Sequence, residues 1–337
     1  HRYSRTKLML DKFSGAFSRV DKLFITEVYA ADEAPIEGAD SNAIVESIRN
    51  ITDIDVELIQ CFESAHHVIG SYIKPGDQIL ILGAGNVHEI GSLLARDLEV
   101  IDKLRRELDD PMTECRLYEP MRRHTTLKVG GPAQYWVEPI TVESFSKSLG
   151  FFDRLNIPVR VIGRGSNLLI CDGGIQGAVI HPSGGEFSEV SVSGNYITAG
   201  VGARFKKLNN IAKMHEISGF EWMEGIPGNV GGGLRMNAGA MGTETFDQVV
   251  SVKFLDSSGQ IYEKSSHDVK SEYRSVPELN NNYAISAVFE GVKGNARDIE
   301  KLTQESMSKR KQSQPIAASA GCIFKNPDSI PAGKLIE

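Results

Sequence analysis

The chain has 337 residues, 41% of them hydrophobic and 24% charged, with a formal net charge of −7. That length accommodates two or three domains. The charge excludes a chain-wide basic field for nucleic acid or an anionic membrane, and no apolar run approaches the roughly 18 residues that a membrane-spanning helix needs. Cys61, Cys115, Cys171 and Cys322 are scattered without a CxxC pair, which argues against a zinc site or a disulfide framework and for a reducing, cytoplasmic setting.

Residues 1–100 alternate strand and helix signals. Strands are expected at Leu23–Tyr29, Val56–Ile59 and Asp77–Leu82. Helices are expected after the Asp40-Ser-Asn cap, near Ser64–Ile73, and from about Asn86 to Leu98. This order reads as a small α/β domain with a parallel sheet. Gly83-Ala-Gly85 follows a strand and opens a helix, but His88 stands where the third glycine of a dinucleotide fingerprint belongs, so it reads as a tight turn. His66-His67 has no further ligands nearby and reads as structural; no metal site is expected. The charged stretch 104–118 reads as a connector, partly helical. Beyond it strands shorten and glycine turns multiply, an α+β pattern. Hairpins are expected over Ser191–Thr198 and Val252–Tyr262, and helices over Arg204–Ile217 and Ala296–Lys311.

The most informative stretch is Gly225–Gly239, with six glycines in fifteen residues and neither a helical nor a strand period. Glycine is needed where backbone turns with positive φ or approaches another group closely. Gly163-Arg164-Gly165-Ser166-Asn167 offers consecutive amides and short polar side chains, a shape that suits a pyrophosphate. Together the two segments suggest a large phosphate-bearing cofactor held by main-chain N–H groups. Tyr273-Arg274 reads either as a solvated arginine or as an anion clamp. For Cys322, in Ser319–Pro327, a buried inert thiol and an accessible site are about equally open.

Five motifs in order, Thr126–Ala133, Gly163–Leu169, Gly225–Gly239, Tyr273-Arg274 and Ser319–Pro327, resemble those of the UDP-N-acetylenolpyruvoylglucosamine reductase family, in a likeness covering residues 119–337. Residues 1–100 are similar to the C-terminal domain of UDP-N-acetylmuramate–L-alanine ligase, through His1–Thr6, Tyr29–Gly38 and Gly76–Gly85. The resemblance implies a ligase-type α/β domain over 1–103, a connector over 104–118 and an FAD-binding domain of the vanillyl-alcohol-oxidase/PCMH type over 119–294. The start of a substrate domain follows over 295–337. Both chain ends read as cut, and the family's catalytic glutamate would lie beyond residue 337, so this chain is expected to bind FAD and turn over poorly.

The implied reaction uses NADPH to reduce FAD, then hydride to reduce the enolpyruvyl group of a UDP-linked amino sugar to UDP-N-acetylmuramate, for peptidoglycan. FAD is expected at Gly163, Arg164, Gly165, Ser166 and Asn167, and along Gly225, Pro227, Gly228, Gly231, Gly232, Asn237 and Gly239. Arg274 is assigned to the substrate carboxylate, with Tyr273 beside it. Lys325 and Asn326 are assigned to the substrate's diphosphate side. Cys322 occupies the place of the family's proton-donating serine; a thiol, with a pKa near ~8.5, is chemically able to serve. Arg235 gets no role. The likeness also leaves room for contact with other peptidoglycan-precursor enzymes. Two rival readings are another flavin dehydrogenase of the same fold and a non-catalytic scaffold fragment; an assay on simple alcohols and the flavin colour of the purified chain separate them.

Overall fold

A computed structural model describes residues 2–74, 76–313, 317–321, 323–327 and 330–336. The chain divides into two units, His1–Ile101 and Asp102–Glu337.

The first unit opens with α1 (Tyr3–Gly15), which the sequence reading missed because its mixed polar and apolar residues give no clean stripe. Strand β1 (Lys22–Ile25), helix α2 (Ser41–Ile51) and strand β2 (Asp55–Leu58) follow. Asp40 caps α2 by accepting from Ala43 N at 2.8 Å. The helix buries Val45 and Ile48 against Val56, and β1 and β2 pair in parallel, Leu23 opposite Val56. Helix α3 (Ala65–Gly70) is shorter than expected. It buries His66 and His67, whose rings lie 4.0 Å apart.

The expected strand at Asp77–Leu82 does not form: the segment is irregular, with Leu80 78% and Leu82 71% exposed. Alternating hydrophobicity is not sufficient for a strand; a ladder partner is required, and this segment pairs with neither β1 nor β2. The sheet therefore has two strands. The Gly83–Gly85 turn is filled by the chain itself, with Gly85 against the Tyr29 ring. Helix α4 (His88–Leu108) continues ten residues past its expected end, so the first part of the connector is helix. The last part is strand.

The second unit takes in the end of α4 from Asp102 and continues with that strand, β3 (Glu114–Pro120), then β4 (Pro132–Glu138), helix α5 (Val142–Arg154), β5 (Val159–Val161) and β6 (Ile175–Ile180). They make a mixed sheet in the order β3-β4-β6-β5, antiparallel between β3 and β4 and parallel elsewhere. Thr141 and Ser144 form a capping box that starts α5. Alternation along β4 sends neighbours to opposite faces. Tyr135 meets Phe152 of α5, ring centroids 5.8 Å apart. Trp136 joins Met121, Ile162, Ile170 and Val179 in the opposite core.

The chain then runs through β7 (Val190–Ser193), β8 (Tyr196–Gly200), α6 (Phe205–Met214), β9 (Ile217–Ser218) and α7 (Val230–Met236). Next come β10 (Gly239–Ala240), β11 (Thr243–Glu244), β12 (Val249–Leu255), β13 (Ile261–Ser265), β14 (Tyr283–Glu290), β15 (Val292–Lys293), α8 (Ala296–Ser313) and α9 (Ala332–Ile336). The expected hairpins are β7–β8 and β12–β13. Five strands form an antiparallel sheet ordered β13-β12-β14-β8-β7, and β9–β15 and β10–β11 are short ladders. No helix is long and apolar enough to cross a membrane among the described residues.

Candidate cofactor and substrate site

The first bend of the site leaves the end of β5. Ile162 N donates to Ile180 O at 3.0 Å, carrying the ladder one residue further before the chain turns. Gly165 sits at φ +60, and a Cβ there would stand 2.0 Å from the carbonyl oxygen of His124. Only glycine allows both the conformation and the approach. Thr126 N donates to Gly165 O at 3.2 Å, so the 124–126 stretch and the 163–167 bend are one piece. Arg164 and Asn167 are exposed and Ser166 is half-buried.

The second bend leads into α7. Val230 N donates to Ala203 O at 2.8 Å and Gly231 N to Val201 O at 2.9 Å, which ties the first turn of α7 to the chain leaving β8. A methyl at Gly233 would meet Phe205 Cζ at 2.1 Å, so this glycine serves helix packing. Gly232, by contrast, is exposed and has no heavy atom within 4 Å of its Cβ position. The two bends meet: a methyl at Gly163 would stand 3.7 Å from Asn229 Cβ, and one at Gly228 would stand 3.5 Å from Ser166 Oγ. Asn229 lies between them, 4% exposed, with its buried Oδ1 lacking any hydrogen-bond partner.

A buried amide oxygen left without a donor is costly unless a ligand N–H or O–H satisfies it. Beside it are two adjoining backbone bends and an open glycine face. This arrangement fits a flat dinucleotide such as FAD, whose phosphates accept from backbone N–H groups and whose hydroxyls and ring N–H can donate to an amide oxygen.

The other residues expected at the cofactor have these neighbours within the chain. Gly225 faces the Arg310 side chain of α8, and Pro227 is exposed. Asn237 ends α7 in the left-handed region, φ 39; its Nδ2 donates to Glu244 at 2.6 Å and its Oδ1 accepts from Phe246 N at 3.0 Å. Gly239 pairs with Glu244 in the β10–β11 ladder. Arg235 donates to Asn280 Oδ1 at 2.6 Å.

Tyr273 and Arg274 form the tip of a tight turn in which Glu272 and Ser275 exchange both backbone hydrogen bonds. Arg274 has φ 57, uncommon for a side chain of its size. Its Nη1 donates to Phe324 O at 2.8 Å, joining this turn to the 319–327 motif. That motif also reaches the first bend, since a methyl at Gly321 would stand 3.5 Å from Asn167 Oδ1. Lys270, and more weakly Lys325, hold the Glu272 carboxyl below its usual range. Asn326 Oδ1 accepts from Ala332 N at 3.0 Å, ahead of α9. Cys322 lies outside the described residues.

Two features escaped the sequence reading. Asn229 was hidden among the glycines. The other is a ring stack beneath the first bend: His124 lies 4.0 Å from Trp136, and His181 lies 5.3 Å from the same indole. His124 Nε2 meets the buried Glu119 carboxylate at 2.9 Å. His181 Nδ1 donates to Ile162 O at 3.0 Å, and burial pushes its pKa down, which favours the neutral ring. These residues are far apart in sequence and carry no local pattern; the parallel pairing of β4 with β6 brings Trp136 beside Val179.

Residues 133–265 match the family model of the FAD binding domain. The UDP-N-acetylenolpyruvoylglucosamine reductase of Clostridioides difficile (strain 630) is 40% identical over 226 residues, 66% of this chain and 74% of that one. The reductase of the same name from Caldanaerobacter subterraneus subsp. tengcongensis is 38% identical over 242 residues, 71% of this chain and 78% of the relative. The crystal structure of the corresponding reductase from Thermus caldophilus superposes with a TM-score of 0.57 at 31% identity, over 66% of this chain and 78% of that one.

Proposed function

The chain belongs to the UDP-N-acetylenolpyruvoylglucosamine reductase family, and from that premise we infer that its second unit carries out the NADPH- and FAD-dependent reduction of an enolpyruvyl group on UDP-N-acetylglucosamine. The observation that carries this reading is the meeting of the 163–167 bend with the Gly228-Asn229 stretch on one hand and with Gly321 of the 319–327 motif, which Arg274 also joins, on the other. Bound FAD would supply the hydride, received from NADPH, that saturates the enolpyruvyl double bond.

This chain's residues do the rest. The 163–167 bend and the open Gly232 face hold the cofactor, with Asn229 supplying a buried carboxamide. Reduction of an enolpyruvyl group builds negative charge into its carboxylate, so a fixed cation there lowers the barrier. Arg274 supplies it; the hydrogen bond to Phe324 O and the positive-φ turn support a fixed guanidinium. Cys322, from its place in the Ser319–Pro327 motif, donates the proton to the neighbouring carbon. Lys325 and Asn326 face the diphosphate of the substrate, a role supported by their place in the same motif. The first unit is a ligase C-terminal-type domain; its parallel β1–α2–β2 arrangement and its sequence motifs support that assignment. The NADPH requirement and the scattered cysteines support a cytoplasmic setting.

The test is anaerobic. The chain is loaded with FAD, the flavin is bleached with NADPH, and UDP-N-acetylglucosamine enolpyruvate is added. Return of the 450 nm absorption with the UDP sugar, and not with simple alcohols or hydroxy acids, supports the reading. Failure to bind flavin refutes it.

A further inference from the structure

The 162–166 bend is fastened from below at both ends. At its start, His181 Nδ1 donates to Ile162 O at 3.0 Å. At its turn, Gly165 O accepts from Thr126 N at 3.2 Å, and the His124 carbonyl oxygen presses against Gly165. His124 is itself anchored by Glu119, 6% exposed, through a 2.9 Å contact. Both imidazoles rest on Trp136, which is fully buried and donates to Glu138 Oε1 at 2.7 Å. Arg116 lies 3.6 Å from Glu119 and 3.4 Å from Glu138, so the two carboxylates that orient the stack share a counter-charge. Two histidines and a tryptophan from three separate segments thus hold one short turn.

We propose that His124 and His181, seated on Trp136, are positioning residues that hold the 162–166 bend in the shape its amides need to receive the FAD pyrophosphate. The proposal rests on the reading of this bend as the cofactor site. A bend already ordered before binding spares the cofactor the entropy of ordering it, so the fastenings add to affinity without touching the ligand. His124 acts through Glu119 and the backbone at Gly165; His181 acts through Ile162 O.

The experiment measures FAD dissociation constants by flavin fluorescence quenching and, separately, the melting temperature of the cofactor-free chain. His124→Gln keeps a nitrogen able to reach Glu119, and His181→Asn keeps a donor for Ile162 O; both are expected to bind FAD within about threefold of the wild type. His124→Ala and His181→Leu are expected to weaken FAD by about tenfold, the equivalent of one lost hydrogen bond, in titrations run well below a cofactor-free melting temperature that falls by only a few degrees, so that the lost affinity is not unfolding. Should His124→Ala fail to fold, His124→Asn, too short to reach Glu119, takes its place with the same expectation. Wild-type affinity in the disruptive variants overturns the proposal, as does equal weakening in the conservative ones. Absence of FAD binding by the wild-type chain is a different result and sinks the function reading instead.

Discussion

Gly232→Ala separates two roles that glycine plays in the 225–239 loop. Gly232 lies in the first turn of α7 with nothing within 4 Å of its Cβ position, so the added methyl meets no protein atom. Alanine is favoured over glycine inside a helix by about 0.5–1 kcal/mol. In a unit of this size that raises the melting temperature of the cofactor-free chain by about 1–4 °C. The same methyl projects from the face assigned to FAD, where displacing a packed ring costs about 1–3 kcal/mol, or roughly five- to 150-fold in affinity. The variant should therefore be more stable without cofactor and bind FAD at least about fivefold more weakly. Gly233→Ala is the control. Its methyl would fall 2.1 Å from Phe205 Cζ, so it should lower the melting temperature of the cofactor-free chain. Differential scanning fluorimetry and flavin fluorescence titration read the two quantities independently. Wild-type FAD affinity in Gly232→Ala would refute the placement of the cofactor across this face.

The remaining expectations concern the other parts of the site and the first unit. Gly165→Ala combines a left-handed conformation with a backbone clash and should lose about 3 kcal/mol of stability, together with FAD binding, in urea unfolding and flavin titration. Arg274→Ala should leave FAD affinity within about threefold but slow substrate-driven flavin reoxidation by about 100-fold or more, as seen by stopped-flow absorbance. Cys322→Ala should retain bleaching by NADPH and lose about 100-fold in reoxidation by the UDP sugar, whereas Cys322→Ser should recover most of it. His67, pushed down to about 4 by burial and then by its neighbour His66, should titrate near that value by NMR. Because its folded pKa lies below the ordinary value of 6.5, the unfolded state takes up the proton first. Stability is therefore complete above about pH 6.5 and falls as pH drops toward 4, by about 2 kcal/mol after allowance for solvent screening; a His67 resonance titrating at its ordinary pH would contradict this.

The family, the cofactor and the two glycine bends were legible in the amino-acid order, because they depend on local demands. A residue such as Gly165 must adopt positive φ and admit a neighbouring carbonyl whatever surrounds the rest of the chain, and that requirement leaves glycine in the sequence as its trace. The β7–β8 and β12–β13 hairpins and helices α6 and α8 were readable for the same reason: turn chemistry and apolar period act over a few residues. What each side chain faces is a different matter. Gly232 and Gly233 are adjacent and identical, yet one looks into open space and the other into Phe205, a distinction made by the packing of α7 against α6. Asn237, expected at the cofactor from its place in the loop, also caps α7, because the β10–β11 turn brings Glu244 to it. The Asp77–Leu82 segment has a strand's composition and no strand to pair with. His124, Trp136 and His181 form one stack only after β4 and β6 lie side by side. Backbone conformation is set by neighbours in the chain, whereas contact is set by neighbours in space, and only the folded arrangement of strands and helices decides the second.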